Sequence, residues 1–262
     1  MLLSGSDLAG FIKARQAKQV RQLRGRQVRP KLAIVLSNQE LASAKYVAAK
    51  QRYGSDIGVA VDVYHTQADE LEEIIHRLND ATDTHGIIVQ LPLPSKIKVE
   101  RILNLVAPDK DVDGLAKNSR FVPPTPTAIL WLLAGYNVEL KDRKIAVVGR
   151  GRLVGLPLIK ILTASGHDVE SYDDRTEDLL LPLKAADVII SATGQARLIK
   201  APMVKIGAVV IDAGTVESSG KLVGDVDPRL YERPDIKVSP VPGGVGPLTV
   251  CALFENLLQA AS

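Results

Sequence analysis

Lys144-Ile145-Ala146-Val147-Val148-Gly149-Arg150-Gly151-Arg152-Leu153-Val154-Gly155 is the stretch whose reading decides the fold. Four apolar residues in a row after Lys144 predict a short buried strand ending at Val148, and Leu153 to Ser165 reads as the helix that follows. The glycines between them let the backbone turn sharply, and a helix N-terminus just beyond offers free amides to a pyrophosphate. The spacing is G-x-G-x-x-x-G, one residue longer than the usual dinucleotide fingerprint. A plain tight turn would look much the same. What favours a dinucleotide is the next strand, Val169 to Tyr172, which runs into Asp173 and Asp174. They lie about twenty residues on, where a ribose-binding carboxylate is expected.

Outward from that unit the alternation of strand and helix continues in both directions, the mark of parallel α/β sheets. Downstream, Glu177 to Ala185 predicts a helix, Val188 to Ser191 and Val209 to Ile211 predict buried strands, and a final helix runs through Leu258. Upstream, strands are expected at Leu32 to Leu36, Val59 to Tyr64 and Gly86 to Val89. Helices are expected at Glu40 to Ile57, Asp69 to Asn79 and Val99 to Val106. Charges, a glycine and three prolines between Asp109 and Pro126 mark a domain boundary, and Thr127 to Gly135 reads as a bridging helix. The reading is two α/β units.

Composition narrows the function classes. Of 262 residues 46% are hydrophobic and 24% charged, the balance of a globular protein and not of a disordered or repetitive one. The single cysteine, Cys251, leaves no internal disulfide or multi-cysteine zinc site and suits a reducing compartment. The longest uncharged stretches, Phe121 to Val138 and Val238 to Phe254, are interrupted by prolines and too short for a membrane helix. With no apolar signal-like segment at the N-terminus, a soluble cytoplasmic protein with no membrane partner is expected. The net charge of +3 hides an asymmetry, because residues 1–31 carry eight Lys or Arg against Asp7 alone. A nucleic-acid arm is one reading. The segment lacks interleaved aromatics for base stacking, and a helix from about Ser6 with Leu8, Phe11, Ile12, Val20 and Leu23 inward explains it without nucleic acid.

Four other segments carry chemistry. Tyr46 and Lys50 lie one turn apart on a predicted helix, hence on one face, and a partly buried Lys there can shuttle protons. Short-chain dehydrogenases use a similar pair, but downstream of their glycine turn, whereas this one lies about a hundred residues upstream. Val89-Gln90-Leu91-Pro92-Leu93-Pro94 puts a polar residue at the end of a buried strand, where ligands meet parallel sheets. Lys110-Asp111-Val112-Asp113-Gly114 sets two carboxylates in the interdomain connection. Pro240-Val241-Pro242-Gly243-Gly244-Val245-Gly246-Pro247 allows close backbone approach or an unusual peptide geometry.

Together these motifs resemble one family, the bifunctional methylenetetrahydrofolate dehydrogenase/methenyltetrahydrofolate cyclohydrolases of the FolD type. Its S-x-x-Y-x-x-x-K stands at Ser43, Tyr46 and Lys50, and its V-Q-L-P-L-P, K-D-V-D-G and P-V-P-G-G-V-G-P are intact. Gly149, Arg150, Val154, Gly155 and Gly224-Asp225-Val226 also fit, so the resemblance spans nearly the whole chain in order.

The resemblance implies a two-domain α/β fold. A folate-binding catalytic domain (residues 1–118 and 247–262) joins a Rossmann-type NAD(P)-binding domain (residues 119–246), with the last helix returning to the first domain. It implies oxidation of 5,10-methylenetetrahydrofolate by a nicotinamide cofactor, then hydrolysis of the methenyl product to 10-formyltetrahydrofolate. Lys50 is then the acid/base, Gln90 tunes it, Asp113 holds the pterin and Tyr46 packs along the folate. Pro242, Gly243 and Gly244 add substrate contacts. The cofactor falls to Gly149, Arg150, Gly151, Val154, Gly155, Asp173, Asp174, Arg175, Thr193 and Gly194. A homodimer through the cofactor domain is implied, and no metal site. A degenerate member that binds folate or nucleotide without turnover is the alternative.

Some positions depart from the family. Its P-C-T-P-x-G reads Pro123-Pro124-Thr125-Pro126-Thr127-Ala128, the link from Gly114 to Phe121 is short, and Gly151 replaces a Ser. Its H-S-R-T reads Asp173-Asp174-Arg175-Thr176. NADP is the family's usual cofactor, and these two carboxylates instead suggest NAD.

Overall fold

The computed structural model describes residues 1–38, 41–218 and 221–262, so Glu40, the expected start of a helix, lies outside the described residues. The chain divides into two compact units. The first comprises Gly10–Pro124 and Val250–Ser262, the second Met1–Ala9 and Thr125–Thr249.

Helix α1 (Gly5–Gly25) starts in the second unit and continues into the first. In the first unit, β1 (Lys31–Leu36) lies between β2 (Ala60–His65) and β3 (Gly86–Val89) in a parallel sheet. Leu32 to Val35 are fully buried, as a central strand covered on both faces requires. Helix α2 (Leu41–Ile57) leads from β1 to β2, and α3 (Leu71–Asp80) from β2 to β3. The i, i+4, i+7 stripe Leu71, Ile75 and Leu78 of α3 packs with Ala33, Val35, Ile87 and Val89 of the sheet. Helix α4 (Val99–Leu103) is shorter than the sequence suggests, because the chain after Leu103 passes into turns.

One expectation for α1 is wrong. Val20 and Leu23 are buried and Leu8 and Ile12 partly so, but Phe11 is 79% exposed. At 100° per residue Phe11 lies about 135° around the helix from the stripe Ile12, Gln16, Val20 and Leu23. The inward polar member, Gln16, is fully satisfied. Its Nε2 donates to Cys251 O at 2.9 Å and to Glu255 at 2.8 Å, and its Oε1 accepts from the Tyr53 hydroxyl at 2.7 Å. Those partners show how the chain's end, from Val250 on, belongs to the first unit.

The chain re-enters the second unit along α5 (Pro124–Gly135), which starts three residues earlier than expected because Pro124 and Pro126 fall in its first turn where a missing N–H costs nothing. Then come β4 (Lys144–Val148), α6 (Gly155–Ala164), β5 (Asp168–Tyr172), α7 (Leu180–Ala185), β6 (Val188–Ser191) and β7 (Val209–Asp212). A hairpin of β8 (Val216–Ser218) and β9 (Lys221–Val223) follows, then β10 (Lys237–Val238), and α8 (Val245–Ala260) starts in this unit and passes into the first at Val250. The main sheet is parallel in the order β10-β7-β6-β4-β5. The chain leaves β4 to one side for β5 and returns on the other for β6. That reversal is the switch point at which doubly wound sheets bind ligands. Leu2 and Leu3 lie alongside β10, with Leu3 N donating to Val238 O at 2.9 Å.

Phe11→Ser should leave the stability to urea unfolding within about 0.5 kcal/mol of the parent. Val20→Ala, on the buried stripe of the same helix, should cost about 1.5–3 kcal/mol. Equal losses in the two variants would overturn the orientation of α1.

Candidate active site

In the first unit the polar groups collect where β1 and β3 end. Gln90 follows β3, its N–H donating to Val35 O at 2.9 Å, so its side chain leaves the sheet at the carboxyl edge. Lys50, three turns into α2, donates from Nζ to Gln90 Oε1 at 2.9 Å. Gln90 Nε2 donates to Leu91 O at 2.9 Å, which turns the amide oxygen toward the lysine. The Leu91-Pro92 peptide after it is cis. Tyr46, one turn before Lys50, is 46% exposed, while Ser43 is buried.

Asp113 completes this group, and its segment is fixed at almost every residue. Lys110 Nζ donates to the carbonyls of Leu78, Asn79 and Ala81 at 3.0, 2.6 and 2.7 Å, capping the C-terminus of α3. Lys110 O accepts from Ile87 N at 2.7 Å, which stitches the segment to β3. Buried Asp111 accepts from Ala116 N at 2.8 Å, and Val112 O accepts from Asn256 Nδ2 at 2.9 Å. Gly114 has φ +67°, and a Cβ there would lie 2.8 Å from Phe121 O.

The electrostatics follow from burial. Desolvation pulls the Lys50 ammonium below its ordinary range, against the attraction of Asp113. Burial likewise raises the Asp113 carboxyl, with Lys50 lowering it and Asp111 pushing it further up. Each shift favours the neutral form. A larger fraction of neutral amine at a given pH is what a lysine base requires.

In the second unit the glycine turn sits at the end of β4, beside the switch point. Gly149 has φ +98°, and a Cβ on it would come 2.5 Å from Ala192 O. A Cβ on Gly155 would come 1.9 Å from Gly149 O, whereas one on Gly151 would meet nothing within 4 Å. The outer glycines are needed for the chain to pass itself, and the middle one leaves open space over the turn. Val154 is the residue before α6; in that first turn Pro157 carries no N–H and Leu156 N donates to Gly151 O at 3.0 Å, so Gly155 is the amide that faces the turn. This cradle fits a dinucleotide pyrophosphate.

Asp173 comes directly after β5. Its Oδ1 accepts from Arg175 N at 3.1 Å, and its Oδ2 lies 3.9 Å from an Arg150 nitrogen. Asp174 and Arg175 are exposed. Thr193 and Gly194 form the turn after β6, with Gly194 at φ +67°. In the P-V-P-G-G-V-G-P segment the Val241-Pro242 peptide is cis, and Gly243 has φ +100°. Gly243 O accepts from Gly5 and Ser6 N at 2.9 and 3.1 Å, and a Cβ on Gly244 would come 2.5 Å from Pro240 O.

Three residues here went unassigned from sequence: Ser191, Asp212 and Asp225, all buried at the same sheet edge. A faint signal existed, since the apolar runs of β6 and β7 each end in a polar residue. Among the described residues no His, Cys, Asp and Glu cluster could hold a metal ion, and no helix is long and apolar enough to cross a membrane.

A parallel sheet with a glycine turn at its switch point, and a carboxylate after the neighbouring strand, is the arrangement of a dinucleotide-binding domain. Residues 123–262 match the family model of the tetrahydrofolate dehydrogenase/cyclohydrolase NAD(P)-binding domain, and residues 3–113 that of the catalytic domain of the same enzymes. The chain belongs to the tetrahydrofolate dehydrogenase/cyclohydrolase family. The bifunctional protein FolD of Macrococcus caseolyticus is 37% identical over 99% of this chain and 97% of its own length. The FolD crystal structure from Campylobacter jejuni superposes with a TM-score of 0.95 at 35% identity, covering 100% of this chain and 98% of that one. The Trypanosoma brucei enzyme, solved with NADP and an inhibitor, gives 0.93 at 31% identity over 100% and 97% of the two chains. The protein is accordingly a bifunctional enzyme: an NAD(P)-dependent methylenetetrahydrofolate dehydrogenase and a methenyltetrahydrofolate cyclohydrolase. A degenerate binding protein without turnover is not favoured.

Gly155→Ala should weaken NAD(P) binding at least tenfold in titration calorimetry, because its methyl cannot fit 1.9 Å from a backbone oxygen. Hydrolysis of methenyltetrahydrofolate, which uses no nucleotide, should persist. Unchanged nucleotide affinity would remove the turn from the cofactor site.

Proposed function

We propose that Lys50 is the acid/base of the cyclohydrolase step. The carrying observation is the 2.9 Å hydrogen bond from Lys50 Nζ to Gln90 Oε1 on an ammonium that burial has made easier to deprotonate. Gln90 takes one N–H and fixes the nitrogen in place, while the neutral amine keeps its lone pair. Water attacks the methenyl carbon as Lys50 removes one of its two protons. The carbon–N5 bond then breaks, N5 takes that proton from Lys50, the carbinol hydroxyl releases its own proton to solvent, and 10-formyltetrahydrofolate results. The cationic substrate would itself depress the pKa of a neighbouring lysine further.

Asp113 accepts hydrogen bonds from the pterin's N–H edge, a charge-assisted bidentate arrangement, and Tyr46 lies along the folate's aromatic portion. A substrate-contact role for Pro242, Gly243 and Gly244 rests on the family pattern. So do a folate domain of residues 1–118 and 247–262, a nucleotide domain of 119–246, a homodimer through the latter, and a cytoplasmic location. Gly149, Arg150, Gly151, Val154, Gly155, Thr193 and Gly194 hold the dinucleotide, with Asp173, Asp174 and Arg175 around the adenosine ribose. The nicotinamide, when bound, supplies the hydride acceptor.

For the choice of cofactor we favour substantial use of NAD. Asp173 stands where a carboxylate accepts from a free ribose 2′-hydroxyl, and it also engages Arg150, the cation a 2′-phosphate would need. A carboxylate about 5 Å from each unit of phosphate charge costs at most ~3 kcal/mol at an effective dielectric of 20. Exposed Asp174 adds little.

Lys50→Met should lower methenyltetrahydrofolate hydrolysis by 10²–10⁴-fold, the usual contribution of such a group, with nucleotide affinity unchanged. In the parent the rate should rise with pH as Lys50 loses its proton, with a midpoint below the ordinary 10.5 of lysine. Wild-type hydrolysis by the variant would refute the assignment.

The ratio of kcat/KM for NADP over NAD should lie below about a hundred, equivalent to ~2.7 kcal/mol. Asp173→Ser should move it toward NADP. A parent ratio above that limit would show that Arg150 outweighs Asp173.

A further inference from the structure

At the carboxyl edge of the second sheet two buried carboxylates organise the turns after β6 and β7. The strands are in register there, with Ser191 opposite Asp212. Asp225 reaches the same edge from the segment after the β8–β9 hairpin, its backbone held by Ile199 N, which donates to Asp225 O at 2.9 Å. Its Oδ2 accepts from Ser191 Oγ at 2.7 Å, Thr193 N at 2.7 Å and Thr193 Oγ1 at 2.9 Å. Asp212 gathers the other turn: Oδ1 accepts from Gly214 N and Asp225 N, both at 3.1 Å, and Oδ2 from Val226 N at 2.9 Å.

Such an arrangement is costly. Both side chains are essentially inaccessible, and what holds Asp212 is amides and not a cation. Burial and the neighbouring Asp225 push Asp212 up to about 7 against the pull of those amides. Asp225 Oδ1 has no hydrogen-bond donor. The space is also reserved: a Cβ on Gly214 would come 2.0 Å from Asp225 Oδ1, and one on Gly224 2.0 Å from Asp212 Oδ2. Two buried carboxylates that have hydrogen-bond donors but no cation, and that fix two turns at the ligand-binding edge of a sheet, are better explained by positioning than by stability.

We propose that Asp225, backed by Asp212, is a positioning residue for the dinucleotide, setting the Thr193-Gly194 turn in its binding conformation before the ligand arrives. The proposal rests on the reading of this unit as the nucleotide site. The clamp acts on the backbone and hydroxyl of Thr193, not on the adenosine ribose. It therefore serves NAD and NADP alike, in contrast to Arg150 and Asp173.

Titration calorimetry of the full chain with NAD and with NADP, alongside methenyltetrahydrofolate hydrolysis as a nucleotide-free control, tests this. Asp225→Ala should raise both dissociation constants at least tenfold and by the same factor within twofold, with the hydrolytic KM unchanged. Asp225→Asn keeps one oxygen for the same three donors and should restore most of the affinity. Folded Asp225→Ala with parental nucleotide affinity would overturn the proposal, as would a change confined to one cofactor. If Asp225→Ala does not fold, Ser191→Ala removes one donor and leaves the carboxylate. It should weaken both cofactors about threefold, and no change would overturn the proposal equally. A parent enzyme that bound neither nucleotide would instead refute the reading of the unit as a nucleotide site.

Discussion

The central strands β1 and β4 are apolar along almost their whole length, so a polar side chain can act only where a strand ends. In a parallel sheet those ends fall together at one edge, where the backbone ladder stops and the last N–H and C=O groups need partners. Both units meet that constraint with side chains that also carry chemistry. In the first unit Gln90 leaves β3 at this edge and takes the Lys50 ammonium. In the second, Ser191 and Asp212 end β6 and β7, and Asp225 joins them to the next turn.

Burial at these edges changes protonation in a consistent direction. For Lys50 and Asp113 desolvation favours the neutral form of each, while their mutual attraction favours the charged forms. The shift makes Lys50 easier to deprotonate than a lysine in water, and the attraction of Lys50 opposes the loss of charge on Asp113. Asp212 follows the same rule without a cation nearby, and it is held by amide dipoles. Lys110 shows the contrasting use of a charge. Its ammonium is consumed by three carbonyls at the end of α3 and anchors the chain three residues before Asp113.

The sequence revealed what depends on local pattern. Continuous apolar runs marked Gly86–Val89, Lys144–Val148 and Val188–Ser191 to the residue, because strands covered on both faces leave no alternation to misread. The glycine turn was legible for a similar reason, since few residues tolerate φ near +98° at Gly149. The hairpin β8–β9 and the two-residue β10 were not visible, being too short to show a period. Phe11 faces outward because hydrophobicity alone does not fix the phase of a helix, and here Gln16 occupies the inward stripe. The role of Asp225 could not be read because its partners lie more than thirty positions away, at Ser191 and Thr193. Of the folate-side group, spacing placed Tyr46 and Lys50 on one helix face. Only the fold brings Gln90 to Lys50.

On the proposed assignments the hydrolytic lysine and the nucleotide contacts lie in separate sets of residues within one chain. Lys50, Gln90 and Asp113 belong to the first unit, whereas Arg150, Asp173, Thr193 and Asp225 belong to the second. The sequence's departures from the family at Gly151, Asp173 and Asp174 fall in the second set and leave the first intact. On the proposed assignments, discrimination between NAD and NADP can thus drift through one ion pair at the end of β5 without touching the lysine proposed for hydrolysis. The Asp225 clamp constrains that drift in a particular way. It fixes the turn common to both cofactors, so a change at Arg150 or Asp173 alters which ribose is preferred and not whether a dinucleotide is held.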